Sequence, residues 1–166
     1  MKIYLDIDDV IFDWHQAYAD RFNCKVPQRW HRKPSRLMST RLTILSHEKN
    51  FWLKLPVKNV PNFQPSGYVS ARGIPVTWTR ESLKLNKIPG RSNVNQVHWG
   101  ESKIELLKEL ECDIFIDDKY LTFKECHDNG IFCLLMDAPH NRHIKTPYRI
   151  YDLNIKNIRD LWQKLK

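Results

Sequence analysis

Two short apolar runs, each ending in carboxylates, limit what this chain can fold into more than any other feature. Ile3-Tyr4-Leu5 leads into Asp6, Asp8 and Asp9, and Ile114-Phe115-Ile116 leads into Asp117 and Asp118. Runs this short and apolar predict strands buried on both faces, as in a parallel sheet flanked by helices. The carboxylates then fall at the strands' carboxyl ends, where open α/β sheets place their ligands. If the two strands are neighbours, Asp6, Asp8, Asp117 and Asp118 share one small volume. Like charges about 4 Å apart repel by about 4 kcal/mol at an effective dielectric constant of about 20. Such a group stays ionised only around a cation, and a few hard oxygen donors suit Mg²⁺ better than zinc. The plainer reading is that aspartates favour strand ends and helix caps; two copies of the same pattern argue against it.

The rest of the chain supports the same architecture. Helical spacing over residues 12–22 predicts a helix leaving the first strand, with Asn23 able to end it. Residues 24–39, broken by Pro27 and Pro34, read as loop, and a second helix is expected over 40–55, ending before Pro56. Further strands are expected at 67–70, 94–99, 113–117 and 131–136. Helices are expected at 77–85, 101–110, 121–128 and 158–165, with a loop over 137–147. Strand and helix alternate from Gly67 onward, which predicts α/β class with a parallel sheet of about five strands and right-handed crossovers. Residues 14–61 carry no clear strand and read as a helical insertion over the strand ends, with residues 1–13 and 62–166 forming the core.

A chain of 166 residues suffices for one such domain with a small insertion. No run of 18 apolar residues exists, so no membrane span is expected. The first residues offer only three apolar positions before Asp6, too few for a signal peptide. Cys24, Cys112, Cys126 and Cys133 lack metal-type spacing and read as reduced thiols of a cytoplasmic protein, a monomer or homodimer. The formal charge of +8 is unevenly placed: residues 21–41 hold seven Lys or Arg and no acidic residue. Such a block is either a solvated face or an attractor of phosphorylated substrates or a nucleic acid backbone.

The opening Asp6-Ile7-Asp8-Asp9-Val10, continuing to Phe12-Asp13, resembles that of haloacid dehalogenase (HAD) superfamily phosphatases, and within them the 5′(3′)-deoxyribonucleotidase branch. Ser70 at a strand end, Lys103 at a helix start and Asp117 with Asp118 follow in the family's order, so the resemblance covers nearly the whole chain. It implies a HAD-like fold whose insertion after the first strand is a small helical cap. It also implies a Mg²⁺-dependent phosphomonoesterase acting on nucleoside monophosphates. Asp6 would be the nucleophile, forming a phosphoaspartyl intermediate. Asp8 would serve as general acid and then base. Mg²⁺ would be held by Asp6, Asp117 and the Asp8 carbonyl, with Asp118 orienting the metal shell. Asp9 stands where the superfamily often has glycine.

Ser70 and Lys103 would bind and neutralise the phosphoryl oxygens, with Lys108 a rival further along the same helix. Ala71 and Arg72 follow Ser70; Arg72 is either a ligand for phosphate or base, or one half of a surface ion pair. Phe51 and Trp52 resemble a cap segment that stacks on a base, or they are simply the cap's own core; Trp14 and Phe12 are second candidates. The Asp137–Asn141 loop resembles one in the same branch without an assignable role, and His15, His98 and His127 read as structural. Two other functions fit the same residues: a polynucleotide end phosphatase gripping its substrate with the basic cap, and a catalytically silent nucleic-acid-binding module.

Overall fold

β-branched and aromatic residues fill the short apolar runs, and the runs pair side by side because both of their faces must be covered. In the computed structural model, which describes residues 1–26, 28 and 35–166, they form a six-stranded, all-parallel sheet. The strands are Ile3–Leu5 (β1), Gly67–Ala71 (β2), Val94–Val97 (β3), Ile114–Asp117 (β4), Phe132–Met136 (β5) and Arg149–Ile150 (β6). Their order is β3-β2-β1-β4-β5-β6. This is the doubly wound order, which reverses direction between β1 and β4 and opens a crevice there. Leu5 pairs with Ile116, and the Asp6 amide continues the ladder to the Ile116 carbonyl at 2.8 Å. The two acidic strand ends are therefore adjacent. Two apolar clusters line the sheet, one around Leu5, Ile7 and Ile116 and the other around Val69, Phe115 and Leu135.

The helices are Trp14–Arg21 (α1), Arg36–Leu45 (α2), Lys49–Leu53 (α3), Val76–Leu85 (α4), Ile104–Glu109 (α5), Tyr120–Asp128 (α6) and Ile155–Leu165 (α7). Asp13, Ser35 and Asn154 cap α1, α2 and α7 through their side-chain oxygens, satisfying amides that a first turn leaves open. Two expectations differ. The helix expected over 40–55 is two helices, because the chain turns at Ser46 and Glu48; the first of them starts at Arg36, behind its Ser35 cap. The sheet has six strands rather than about five: Arg149–Ile150 is too short to carry a period and is held by pairing with β5 and by Arg149, which bonds Asp137 and Asn141.

The insertion does not stand apart from the core. Trp14, Leu45, Trp52 and Leu55 belong to the same apolar cluster as β1, and Trp52 is fully buried, its indole N–H donating to the Leu45 carbonyl at 2.7 Å. Part of the basic block, Arg29, Arg32 and Lys33, lies outside the described residues. Of the remainder, Arg21 pairs with Glu48 and Arg41 bonds Tyr18 and Cys24. All four cysteines are free thiols. Among the described residues, no helix is long and apolar enough to cross a membrane.

Candidate functional site

Past β1 the chain makes a tight loop in which the amides of Ile11 and Phe12 return to the Ile7 carbonyl. Asp9 takes φ +57° within it, a left-handed conformation that Asp tolerates better than most side chains. The same constraint accounts for a glycine preference at such a position. The loop holds Asp6 and Asp8 at the carboxyl edge of the sheet. β4 ends in Asp117, and Asp118 follows it.

Asp6, Asp117 and Asp118 are buried, and one carboxylate oxygen of each lies within 4.8 Å of the others. Lys103, the residue preceding α5, reaches between two of them: its Nζ is 2.9 Å from Asp6 Oδ2 and 2.7 Å from Asp117 Oδ2. Burial works against the charged ammonium, but the two carboxylates outweigh it and hold Lys103 protonated. One lysine cannot balance both. Burial, aided by the charges of Asp117, Asp118 and Asp8, pushes the Asp6 carboxyl up to about 8, despite the opposing pull of Lys103. Asp117 is raised for the same first reason. Asp118 moves the other way: burial raises it, but a 2.8 Å ion pair with His140, and the charges of His15 and Lys103, bring it below its ordinary value.

Above these groups is a cavity of about 140 Å³ lined by Asp6, Asp8, Ser70, Lys103 and Asp118, with Trp14 and Trp99 on its walls and Leu42 of α2 also bordering it. Asp6 Oδ1 and Ser70 Oγ are buried without a hydrogen-bond partner among the described residues. An unsatisfied carboxylate oxygen and hydroxyl on the lining of one cavity suit a bound cation and a phosphoryl group, since leaving either atom unpaired is costly. The three clustered carboxylates likewise offer the hard oxygen donors that Mg²⁺ takes.

Not every expected residue faces this cavity. Arg72, at 1% exposure, grips both oxygens of Asp8 (Nε–Oδ2 2.9 Å, Nη2–Oδ1 2.5 Å) and donates to Thr79 at 3.2 Å. Its guanidinium carbon lies 5.0 Å from the Trp52 ring centroid. A buried arginine needs such partners; Arg72 makes no surface ion pair and is not part of the cavity lining. Trp52, sealed beneath it, is not a stacking surface, and Phe51 packs edge-on to Trp52 outside the cavity lining. Trp14 and Ala71 do border the cavity. Lys108 is exposed and pairs with Glu105.

Sequence reasoning passed over Trp99, which lies so close to Gly73 that a Cβ there would meet its ring at 2.9 Å. It left His140, within the Asp137–Asn141 loop, without a role; the contact of His140 with Asp118 joins segments far apart in the chain. No local pattern marked Trp99; for His140 the resemblance of the Asp137–Asn141 loop was the one signal. Neither a scan of family models nor a search of curated proteins found a match to this sequence.

Proposed function

We propose that this chain is a Mg²⁺-dependent phosphomonoesterase of the HAD type that dephosphorylates nucleoside monophosphates, deoxyribonucleotides foremost. The observation that carries this reading is the convergence of Asp6, Ser70 and Lys103 on one cavity, with Asp6 Oδ1 and Ser70 Oγ both buried without a hydrogen-bond partner among the described residues. Asp6, Asp117, Asp118 and the Asp8 carbonyl would hold Mg²⁺, which supplies positive charge between an anionic nucleophile and an anionic ester.

Asp6 attacks phosphorus, and the bond to the ester oxygen breaks. Asp8 gives that oxygen its proton, and the phosphoryl group remains on Asp6. Asp8 then takes a proton from water as the water attacks the phosphoaspartate, freeing Asp6 and inorganic phosphate. Lys103 neutralises charge on the phosphoryl oxygens and keeps Asp6 aligned, while the Ser70 hydroxyl donates to one of them. Arg72 orients Asp8 by its two-point grip. That grip suits the ionised carboxylate, so Asp8 must loosen one of the two bonds to carry a proton. A volume of about 140 Å³ is below the roughly 300–1,000 Å³ of sites that enclose a whole organic ligand. It therefore takes the phosphate and adjoining ester, with Trp14 and Trp99 as the nearest aromatic surfaces for a base.

Phosphate release from a panel of deoxyribo- and ribonucleoside monophosphates, with Mg²⁺ and with EDTA, tests the proposal. Release that needs Mg²⁺ and vanishes in Asp6→Asn supports it; no release from any monoester overturns it. The seven basic residues of 21–41 favour one competing reading, a polynucleotide end phosphatase. A steeply salt-dependent preference for 3′- or 5′-phosphorylated oligonucleotides would establish that reading instead.

A further inference from the structure

We propose that Asp9, His15 and His140 form a second cation site, for a divalent transition metal of the Zn²⁺ class, separate from the Asp6–Asp117–Asp118 cluster. The three residues come from the loop after β1, from α1 and from the short 3₁₀ turn Pro139–Asn141. Each is no more than 4% exposed, and one ligand atom of each lies within 4.8 Å of the others. Asp9 Oδ2 contacts His15 Nδ1, Asp9 Oδ1 accepts from the His15 amide at 3.2 Å, and the two imidazole centroids are 4.8 Å apart. Donors bound to one zinc ion at about 2.0–2.1 Å lie at most about 4 Å apart, so small side-chain adjustments suffice. Two imidazoles and one carboxylate suit zinc and its first-row neighbours rather than Mg²⁺.

Two further observations point the same way. His140 Nε2 meets Asp118 Oδ2 at 2.8 Å, so the ring would ligate through Nδ1 with a carboxylate behind it, the arrangement that orients and strengthens metal-bound histidines. A route in exists as well: a second cavity, of about 490 Å³, is lined by Asp9, His15, Asp13, Gln16, Lys58 and Asp137, among others. A metal here would join three separate segments and fix Asp118 from behind.

Zn²⁺ titrated into the whole protein in excess Mg²⁺, followed by ¹⁵N resonances of the imidazole nitrogens, tests the site without relying on turnover. Two of the seven histidines should move to metal-bound positions at one equivalent, and His15→Gln and His140→Gln should identify them. Each variant should weaken Zn²⁺ more than about tenfold in competition with a chelating dye, while Asp6→Asn leaves Zn²⁺ affinity within a few-fold. If no histidine pair responds at one equivalent, or if the responders are other histidines, the site does not exist. Loss of Zn²⁺ binding in Asp6→Asn alone would place the ion at the first cluster and refute the proposal equally. Because Zn²⁺ affinity is read apart from phosphate release, either proposal can fail without the other.

Discussion

Lys103 is the only cation bonded to both Asp6 and Asp117 among the described residues, so its loss should be felt in two ways. With a nucleoside monophosphate and saturating Mg²⁺, Lys103→Met should lower kcat by about 10²–10³, equivalent to about 2.7–4 kcal/mol of transition-state stabilisation. A drop of less than about threefold would exclude a role on the phosphoryl oxygens. Asp6→Asn should abolish turnover yet keep the fold, because Asn is nearly isosteric. Without metal it also removes the excess negative charge beside Asp117, so its melting temperature near pH 8 should equal or exceed that of the parent. Arg72→Ala should reduce kcat more than KM, since Arg72 touches Asp8 and not the cavity. These acidic positions were legible in the sequence because two contiguous motifs encode them. The direction of Arg72 was not: nothing local shows that Thr79, Trp52 and Asp8 surround it.

At the scale of elements, the fully buried Trp52 is one of the side chains that hold the insertion to the core, together with Trp14, Leu45 and Leu55. Trp52 bonds the end of α2 through Leu45 and covers Arg72. Trp52→Ala should cost about 3–5 kcal/mol of stability in urea denaturation, and through the freed Arg72 it should also lower kcat. An unchanged denaturation midpoint would mean that α3 is not anchored there. The apolar periods of β1, β4 and β5 were readable because both faces are buried, whereas β6 has two residues and is specified by its neighbour in the sheet. The break between α2 and α3 falls in the polar run Ser46-His47-Glu48, after which Trp52 packs back on Leu45.

For the whole molecule, the buried acidic cluster couples stability to pH and, if it holds the proposed Mg²⁺, to that ion. Asp6 ionises near its ordinary value in the unfolded chain but only at about 8 in the folded one. Between about pH 4 and about pH 8 the folded state therefore holds a proton that the unfolded state has lost, and this group's contribution to stability falls as pH rises. Melting temperatures of metal-free protein should decline across that window. The decline should flatten in Asp6→Asn and be offset by Mg²⁺, which adds about 2.7 kcal/mol at a hundred times its Kd. Mg²⁺ affinity should itself rise with pH up to about 8, because the ion displaces the Asp6 proton. A pH-independent affinity would show that Asp6 does not bind the ion.

By itself the sequence determined that this chain is an α/β protein with a parallel sheet and two acidic strand ends, because short two-sided burial and its termination are written in adjacent residues. Tertiary structure alone decided that β1 and β4 are neighbours, that Arg72 and Trp52 face inward, and that His15 and His140 meet across Asp9 and Asp118. Those facts depend on which segments pack together and where each side chain then finds a partner, and no local pattern carries that information.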